Sequence, residues 1–253
     1  MIESIAFLML LTGIFIPTLV LLVNPLITYW LSRKQPEQTV SSYSSSQAGG
    51  SPPPKLSMVI AVCNGEDLMP SKLTNALQLD YPSELLEIIV VSDGSTDATE
   101  LVVESYQNQG VKLYRLSQHS GKFLALNEAL VHCSGELIIF SDADAILAQD
   151  ALRRLVAPFS NPLVGGVCGQ RVLSIDGNSL PYEVEASSPS MVEDSLHQAQ
   201  SDYIQLDNLI KQWESKIGTL TSNDGKLYAM RRNLYRPIPT GVTDDLFTCL
   251  TVI

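Results

Sequence analysis

The chain is poor in cysteine, and the four it has, Cys63, Cys133, Cys168 and Cys249, stand far apart with no C-x-x-C pair among its 253 residues. That spacing gives neither a zinc ribbon nor a disulfide framework, and it fits a reducing, cytosolic setting for the soluble part. Basic clusters are missing as well. With 16 Lys and Arg against 27 Asp and Glu, the net charge is −11, which excludes a broad face for neutralising nucleic-acid phosphates. No nucleic-acid partner is expected, and an anionic ligand would need a local site.

Charge of either sign is absent between Ser4 and Ser32, where "IAFLMLLTGIFIPTLVLLVNPLITYWL" is long enough to cross the ~30 Å hydrocarbon core as a helix. Residues 4–32 are therefore expected to form one transmembrane helix. A cleaved signal peptide would have a basic start, a shorter apolar run and a small-residue cleavage site. Pro17 and Pro25 would kink the helix, and Tyr29 and Trp30 suit the interfacial belt before Arg33 and Lys34. Positive charge on this flank, against Glu3 on the other, predicts that the rest of the chain faces the cytoplasm.

Residues 33–55, with "QPEQTVSSYSSSQAGGSPPPK", hold almost nothing apolar and read as a Ser/Pro-rich tether. From 56 to 253 the pattern changes. With 45% hydrophobic residues overall, the chain can bury one domain of ordinary size. The runs "KLSMVIAVCN" and "LEIIVVSDGS" read as buried strands, and "GEDLMPSKLTNALQLDYP" between them as a helix. A helix over 97–107, the strand "VKLYRL", the helix "GKFLALNEALVHC" and the strand "ELIIF" follow. Alternating strands and helices imply an α/β fold with a mainly parallel sheet, whose ligands sit beyond the carboxyl ends of the strands.

Several acids lie where strands give out. "LIIFSDADAIL" runs four apolar residues into Asp142 and Asp144, a pair suited to a divalent cation shared with phosphate oxygens; the plainer reading makes them caps of the next helix. Asp93 stands just past "IIVV", after Ser92, in position to accept from a ribose or base, and Asp97 reads as a cap. Gly121 and Lys122 open a helix, where free amides and an ammonium meet phosphate. His119 and His132 read as incidental. The stretch 191–220 carries Leu196, Ala199, Tyr203, Leu206, Ile210, Trp213 and Ile217 at helical spacing, a stripe expected to pack in a core. "NDGKLYAMRR" gives a short strand, and "VTDDLF" sets Asp244 and Asp245 side by side at a helix start.

In order, "VIAVCNGED", "VVSDGSTDAT", "HSGKFLALNEAL", "FSDADAIL", "NDGKLYAMRR" and "TDDL" resemble a family 2 glycosyltransferase with a GT-A nucleotide-sugar domain, particularly the membrane-bound processive polysaccharide synthases. The resemblance covers roughly residues 56–253. It implies an inverting enzyme that moves a sugar from a UDP-sugar to a saccharide or lipid-linked acceptor, with Mg2+ or Mn2+. It further implies that Asp93 contacts the uracil or ribose side of the donor, that Lys122 approaches the diphosphate, that Asp142 contacts the nucleotide sugar, and that Asp144 holds the metal. Asp245 would be the general base on the acceptor hydroxyl.

Departures from the family pattern stand at Cys63-Asn64-Gly65-Glu66, where an aromatic usually precedes Asn-Glu, and at Asp244-Asp245, where Glu-Asp is common. No Q-x-x-R-W follows, and the sequence stops at Ile253, so it reads as C-terminally truncated, and export of a polymer would need a partner subunit in the membrane or the missing residues. An inactive remnant that binds nucleotide only is the alternative. Two other classes compete. A haloacid-dehalogenase-type phosphotransferase opens on its D-x-D, which here comes about 85 residues into the domain. A metal-dependent adhesion module needs D-x-S-x-S, where this chain has Asp97 in place of the last Ser.

Overall fold

The computed structural model of the chain describes residues 27–33, 52–172, 191–218, 220, 223 and 226–252. These fall into two compact units, one holding 27–33, 191–218 and 220, the other holding the remainder.

The larger unit is built on six strands: β1 (Leu56–Val62), β2 (Leu86–Asp93), β3 (Val111–Leu116), β4 (Leu137–Ser141), β5 (Gly166–Cys168) and β6 (Leu227–Arg231). They form one sheet in the order β3-β2-β1-β4-β6-β5. β1 pairs in parallel with both β2 and β4, and β2 with β3, while β6 runs antiparallel to β4 and β5 antiparallel to β6. The uninterrupted apolar runs are explained by this placement, since central parallel strands are covered on both faces. Every residue of β4 is buried, and so is every residue of β2 after Leu86.

The helices are α1 (Met69–Leu77), α2 (Thr99–Glu104), α3 (Lys122–His132), α4 (Ala151–Val156) and, at the chain's end, α6 (Asp244–Leu250). Leu56, Met58, Ile60 and Val62 of β1 share a core with Met69, Leu73 and Ala76 of α1 and with Leu152 and Leu155 of α4. On the strands' alternate positions Val59, Ile89, Val91 and Ile138 are equally buried, and α3 packs on β1 and β2. The chain leaves β1 toward β2 and β3 on one side and returns to β4 on the other. The crevice at this reversal, outside the carboxyl ends of β1 and β4, is where an open α/β sheet binds its ligand.

The expected strands and helices of this unit are all present, with trimmed ends. The helix read over 65–82 is confined to Met69–Leu77, and that over 97–107 to Thr99–Glu104. Asp142 and Asp144 cap no helix, because α4 starts only at Ala151.

In the smaller unit residues 27–32 are helical, and α5 (Met191–Lys216) supplies the long helix. The Tyr29 and Trp213 rings meet at 5.0 Å between centroids. The stripe expected to be core is corrected in part, for Tyr203 and Leu206 are 64% and 52% exposed while Ile204 is buried. Periodicity marks a helix face, but only a covering element buries it. The expected transmembrane helix over 4–32 lies outside the described residues up to residue 26, as does most of the tether over 33–55. Among the described residues no helix is long and apolar enough to cross a membrane.

Candidate active site

The turns after β1 and β2 are knitted together. Asn64 adopts φ 52°, its amide donates to Ser95 Oγ at 3.1 Å, and its side-chain oxygen accepts from the Thr96 amide at 2.8 Å. The Gly65 amide donates to Thr99 Oγ1 at 2.8 Å, the Glu66 amide donates to the Asp97 carboxylate at 3.2 Å, and the Glu66 carboxylate accepts from the Ala98 amide at 2.7 Å across the same gap. The residues 64–66, which depart from the family pattern, thus carry a structural load. Hydrogen bonds from Thr99 and the Glu66 amide hold the Asp97 carboxyl below its usual range, against a desolvation that pushes it up.

Asp93, at the end of β2, is 2% exposed. Its carboxylate accepts from the backbone amides of Ser120 at 2.7 Å and Gly121 at 2.8 Å, and His119 Nδ1 lies 2.9 Å away. Its oxygens therefore serve first to fold the loop that opens α3. Gly94 has φ 65°, and a Cβ there would overlap the backbone of Gln118 and His119, so only glycine lets the two loops close.

That loop delivers Lys122 to the acidic residues. Its ammonium lies 2.9 Å from Asp142 Oδ1 and 2.9 Å from Asp244 Oδ2. Burial depresses the lysine's pKa, but the two carboxylates outweigh it and raise the net value, so the group stays cationic. A pocket joins Ala61, Lys122, Asp142, Asn223, Asp244 and Asp245. Lys226 Nζ contacts both oxygens of Asp144, at 2.7 and 2.6 Å, and lies 3.6 Å from Asp142 Oδ2.

Two devices place Asp244 and Asp245 here. The Asn223 amide donates to the Asp245 carbonyl at 3.1 Å and its Nδ2 to Thr248 Oγ1 at 2.9 Å, anchoring the first turns of α6. Asn127 of α3 bonds both the amide and the carbonyl of Ile238, at 2.9 and 3.0 Å, and its Oδ1 accepts from the Tyr235 hydroxyl at 2.6 Å. The segment between β6 and α6 is thereby tied to the helix that carries Lys122.

The five residues singled out from sequence stand at strand ends or helix starts, Asp93 closing β2, Asp142 and Asp144 following β4, Lys122 opening α3 and Asp245 in the first turn of α6. The structure joins Lys122, Asp142 and Asp245 in one pocket, sets Asp144 beside it, and holds Asp93 beneath the loop leading to Lys122. Sequence reasoning missed the buried Lys72 and the half-buried Asn75 of α1, the pairing of Lys226 with Asp144, and the anchoring by Asn127 and Asn223. Only Lys226 and Asn223 carried a signal, as neighbours in "NDGK".

The donor set suits a divalent cation in a restricted way. Mg2+ or Mn2+ takes one or two carboxylates together with phosphate oxygens and water. Asp144, 53% exposed at its side chain, and Asp142 provide such oxygens, next to ammoniums that can turn toward phosphate. Among the described residues no three His, Cys, Asp or Glu side chains cluster as a metal cage, so a substrate diphosphate would have to complete the shell.

Comparison with known proteins places this site in context. Residues 57–236 match the family model "Glycosyl transferase family 2". The poly-beta-1,6-N-acetyl-D-glucosamine synthase of Staphylococcus epidermidis is 34% identical over 116 residues, which cover 45% of this chain and 28% of the relative. The beta-monoglucosyldiacylglycerol synthase of Synechocystis sp. is 28% identical over 153 residues, covering 59% of this chain and 32% of the relative. The matched part is thus about a third of the length of these curated relatives. Among solved structures, the mannosyltransferase PcManGT from Pyrobaculum calidifontis, in complex with GDP-Man and Mn2+, superposes with a TM-score of 0.69 at 26% identity, over 93% of this chain and 61% of that one. With the family model covering the strands of the sheet together with Asp93, Lys122, Asp142 and Asp144, the chain belongs to glycosyl transferase family 2 and carries the family's GT-A α/β domain.

Proposed function

We propose that the chain is a membrane-anchored, inverting glycosyltransferase that moves a sugar from a UDP-sugar to a saccharide or lipid-linked acceptor, with Mg2+ or Mn2+ on the donor diphosphate. The observation that carries this reading is the meeting of Lys122, Asp142, Asp244 and Asp245 in one pocket at the carboxyl ends of β1 and β4. The mannosyltransferase that superposes on the chain is described with a nucleotide sugar and Mn2+, which supports the donor class and the metal. The name of the staphylococcal relative supports a polysaccharide product.

In this reading Asp93 stands at the nucleotide end, holding the 119–121 loop against which the base or ribose would lie. Lys122 and Lys226 trade their carboxylate partners for the diphosphate oxygens. Asp142 and Asp144 would hold the divalent cation, which would supply Lewis-acid neutralisation of the leaving diphosphate when bound. Asp245 accepts the proton of the acceptor hydroxyl as that oxygen attacks the anomeric carbon, and a single displacement inverts the configuration. The apolar run over 4–32 would anchor the domain on the cytoplasmic face, and a partner subunit in the membrane would export a polymer.

The test is donor turnover by the full chain with Mn2+ or Mg2+, across UDP-glucose, UDP-N-acetylglucosamine, UDP-glucuronate and, as contrast, GDP-mannose. Metal-dependent UDP release that disappears in Asp144→Asn and Asp245→Asn is expected. UDP binding with no turnover of any donor would mark a nucleotide-binding remnant instead, and preference for GDP-mannose would move the donor assignment.

A further inference from the structure

Lys72 lies in α1, in a stretch read from the sequence as an ordinary helix, yet its side chain is fully buried. A buried ammonium is costly unless its hydrogens are taken up by acceptors. Lys72 donates to Ser141 Oγ at 2.7 Å and to the Ala145 carbonyl at 2.6 Å. Those two acceptors flank the Asp142–Asp144 turn, one on each side. Ser141 in turn donates to the Lys226 carbonyl at 3.0 Å, linking the turn to the residue whose ammonium sits on Asp144.

Asn75 stands three residues further along α1, on the same face of the helix. Its Oδ1 accepts from the Leu147 amide at 2.8 Å and its Nδ2 donates to the Leu147 carbonyl at 2.9 Å. The turn from Ser141 to Leu147 is therefore gripped from below at three residues by two side chains of one helix. Neither the Lys72 nor the Asn75 side chain is placed at the pocket that holds Lys122 and Asp245.

We propose that Lys72, with Asn75, is a positioning residue that sets the Asp142–Asp144 turn for cation and diphosphate binding. The inference rests on that turn being the donor site. An apolar side chain of the same length would fill the volume but leave the Ala145 carbonyl and Ser141 hydroxyl without their donor. The turn would then relax, and the carboxylates would lose their fixed separation from Lys122 and Lys226. The ammonium also answers the two carboxylates electrostatically. Burial pushes its pKa down to about 8, while Asp142 and Asp144 oppose that fall.

The test compares the full chain with Lys72→Met and with the milder Asn75→Ala, following Mn2+ binding in the presence of UDP by electron paramagnetic resonance, and donor kinetics. Supporting groups beneath metal ligands are worth roughly 10–100-fold in metal affinity. Lys72→Met is expected to weaken Mn2+–UDP binding and raise the donor KM by about tenfold or more, leaving the acceptor KM unchanged, with Asn75→Ala shifting both in the same direction by less. A merely structural defect would instead lower the active fraction, and so kcat, with KM unmoved. If both folded variants bind Mn2+–UDP as the parent does, the positioning role is overturned. Should Lys72→Met fail to fold, Asn75→Ala decides alone. If the parent itself binds neither UDP nor Mn2+, the donor-site reading fails and takes this inference with it.

Discussion

The Lys226 ammonium straddles the Asp144 carboxylate, 2.7 Å from one oxygen and 2.6 Å from the other, although the two residues are 82 positions apart in sequence. If Asp144 holds the divalent cation, as proposed above, this lysine occupies the carboxylate first and has to leave before the cation binds. Lys226→Met should therefore let the nucleotide-free protein take up Mn2+ about tenfold more tightly, an effect of about 1.4 kcal/mol. The same variant should raise the donor KM, because the ammonium is no longer there to meet the diphosphate. Calorimetric titration of Mn2+ without nucleotide checks the first half; weaker Mn2+ binding in the variant would contradict it.

Lys122 holds two carboxylates from distant segments, Asp142 after β4 and Asp244 at the start of α6. Lys122→Met should free both and remove a cation from the diphosphate. A charge-assisted bond contributes about 1.5–3 kcal/mol, so kcat/KM for the donor should fall by roughly 10–100-fold. Because the lysine's pKa is raised, its contribution is present throughout the neutral range and is lost only as pH rises through the elevated folded value. The ratio of parent to variant activity should accordingly stay flat from about pH 6 to pH 9, a range below the ordinary lysine value. A ratio that changes steeply there would show that another group governs the donor.

Strand-end chemistry was legible in the sequence because it is local. An apolar run that stops at Asp93 or at Asp142 announces a buried strand and the acid beyond it, and "GKFLALNEAL" announces a helix opened by Lys122. Long-range partners left no such mark. Lys72 lies between Ser71 and Leu73 with nothing local to mark its partners; only the fold puts it under residues 141–145, some 70 positions away. The grip of Asn127 on Ile238 spans 111 residues and has no local signature. Asp93 was legible as an acid at a strand end, but not that two backbone amides of the following loop already occupy its oxygens.

For the chemical step, Asp245→Asn removes the basic oxygen and keeps the volume and the backbone carbonyl that Asn223 grips. UDP–Mn2+ binding should stay within about twofold of the parent, while transfer to acceptor falls by about 100–10,000-fold, the range a general base contributes. Single-turnover transfer measured beside equilibrium UDP binding separates the two effects. A variant that still transfers at the parent rate would remove Asp245 from the role of base.

At the other end of the sheet Glu87 tests stability independently of the site. Its Oε1 accepts from the Ser57 hydroxyl, from the Ser134 amide at 2.6 Å and hydroxyl at 2.9 Å, and from the Gly135 amide at 3.2 Å; its Oε2 meets Lys112 Nζ at 2.8 Å. Burial pushes this carboxyl's pKa up, but the bonds from Lys112, Ser57 and Ser134 outweigh it and bring it down to about 2. A depressed folded pKa means that the stabilisation is complete above the unfolded value and is lost as pH falls through the folded one. The window here runs from about 4.5 down to about 2. Glu87→Gln should cost about 3 kcal/mol at pH 7, the scale of breaking a buried pair, and lower Tm by roughly 6–12 °C. Urea denaturation of parent and variant should show the gap closing between pH 4.5 and pH 2, as the parent's glutamate takes up its proton. A gap unchanged at the acid end would mean that packing, rather than the ionised carboxylate, makes the difference. UDP binding should be the same in both proteins at pH 7, since the bonds to Ser57, Ser134 and Gly135 lie at the amino ends of β1 and β4, opposite the candidate site.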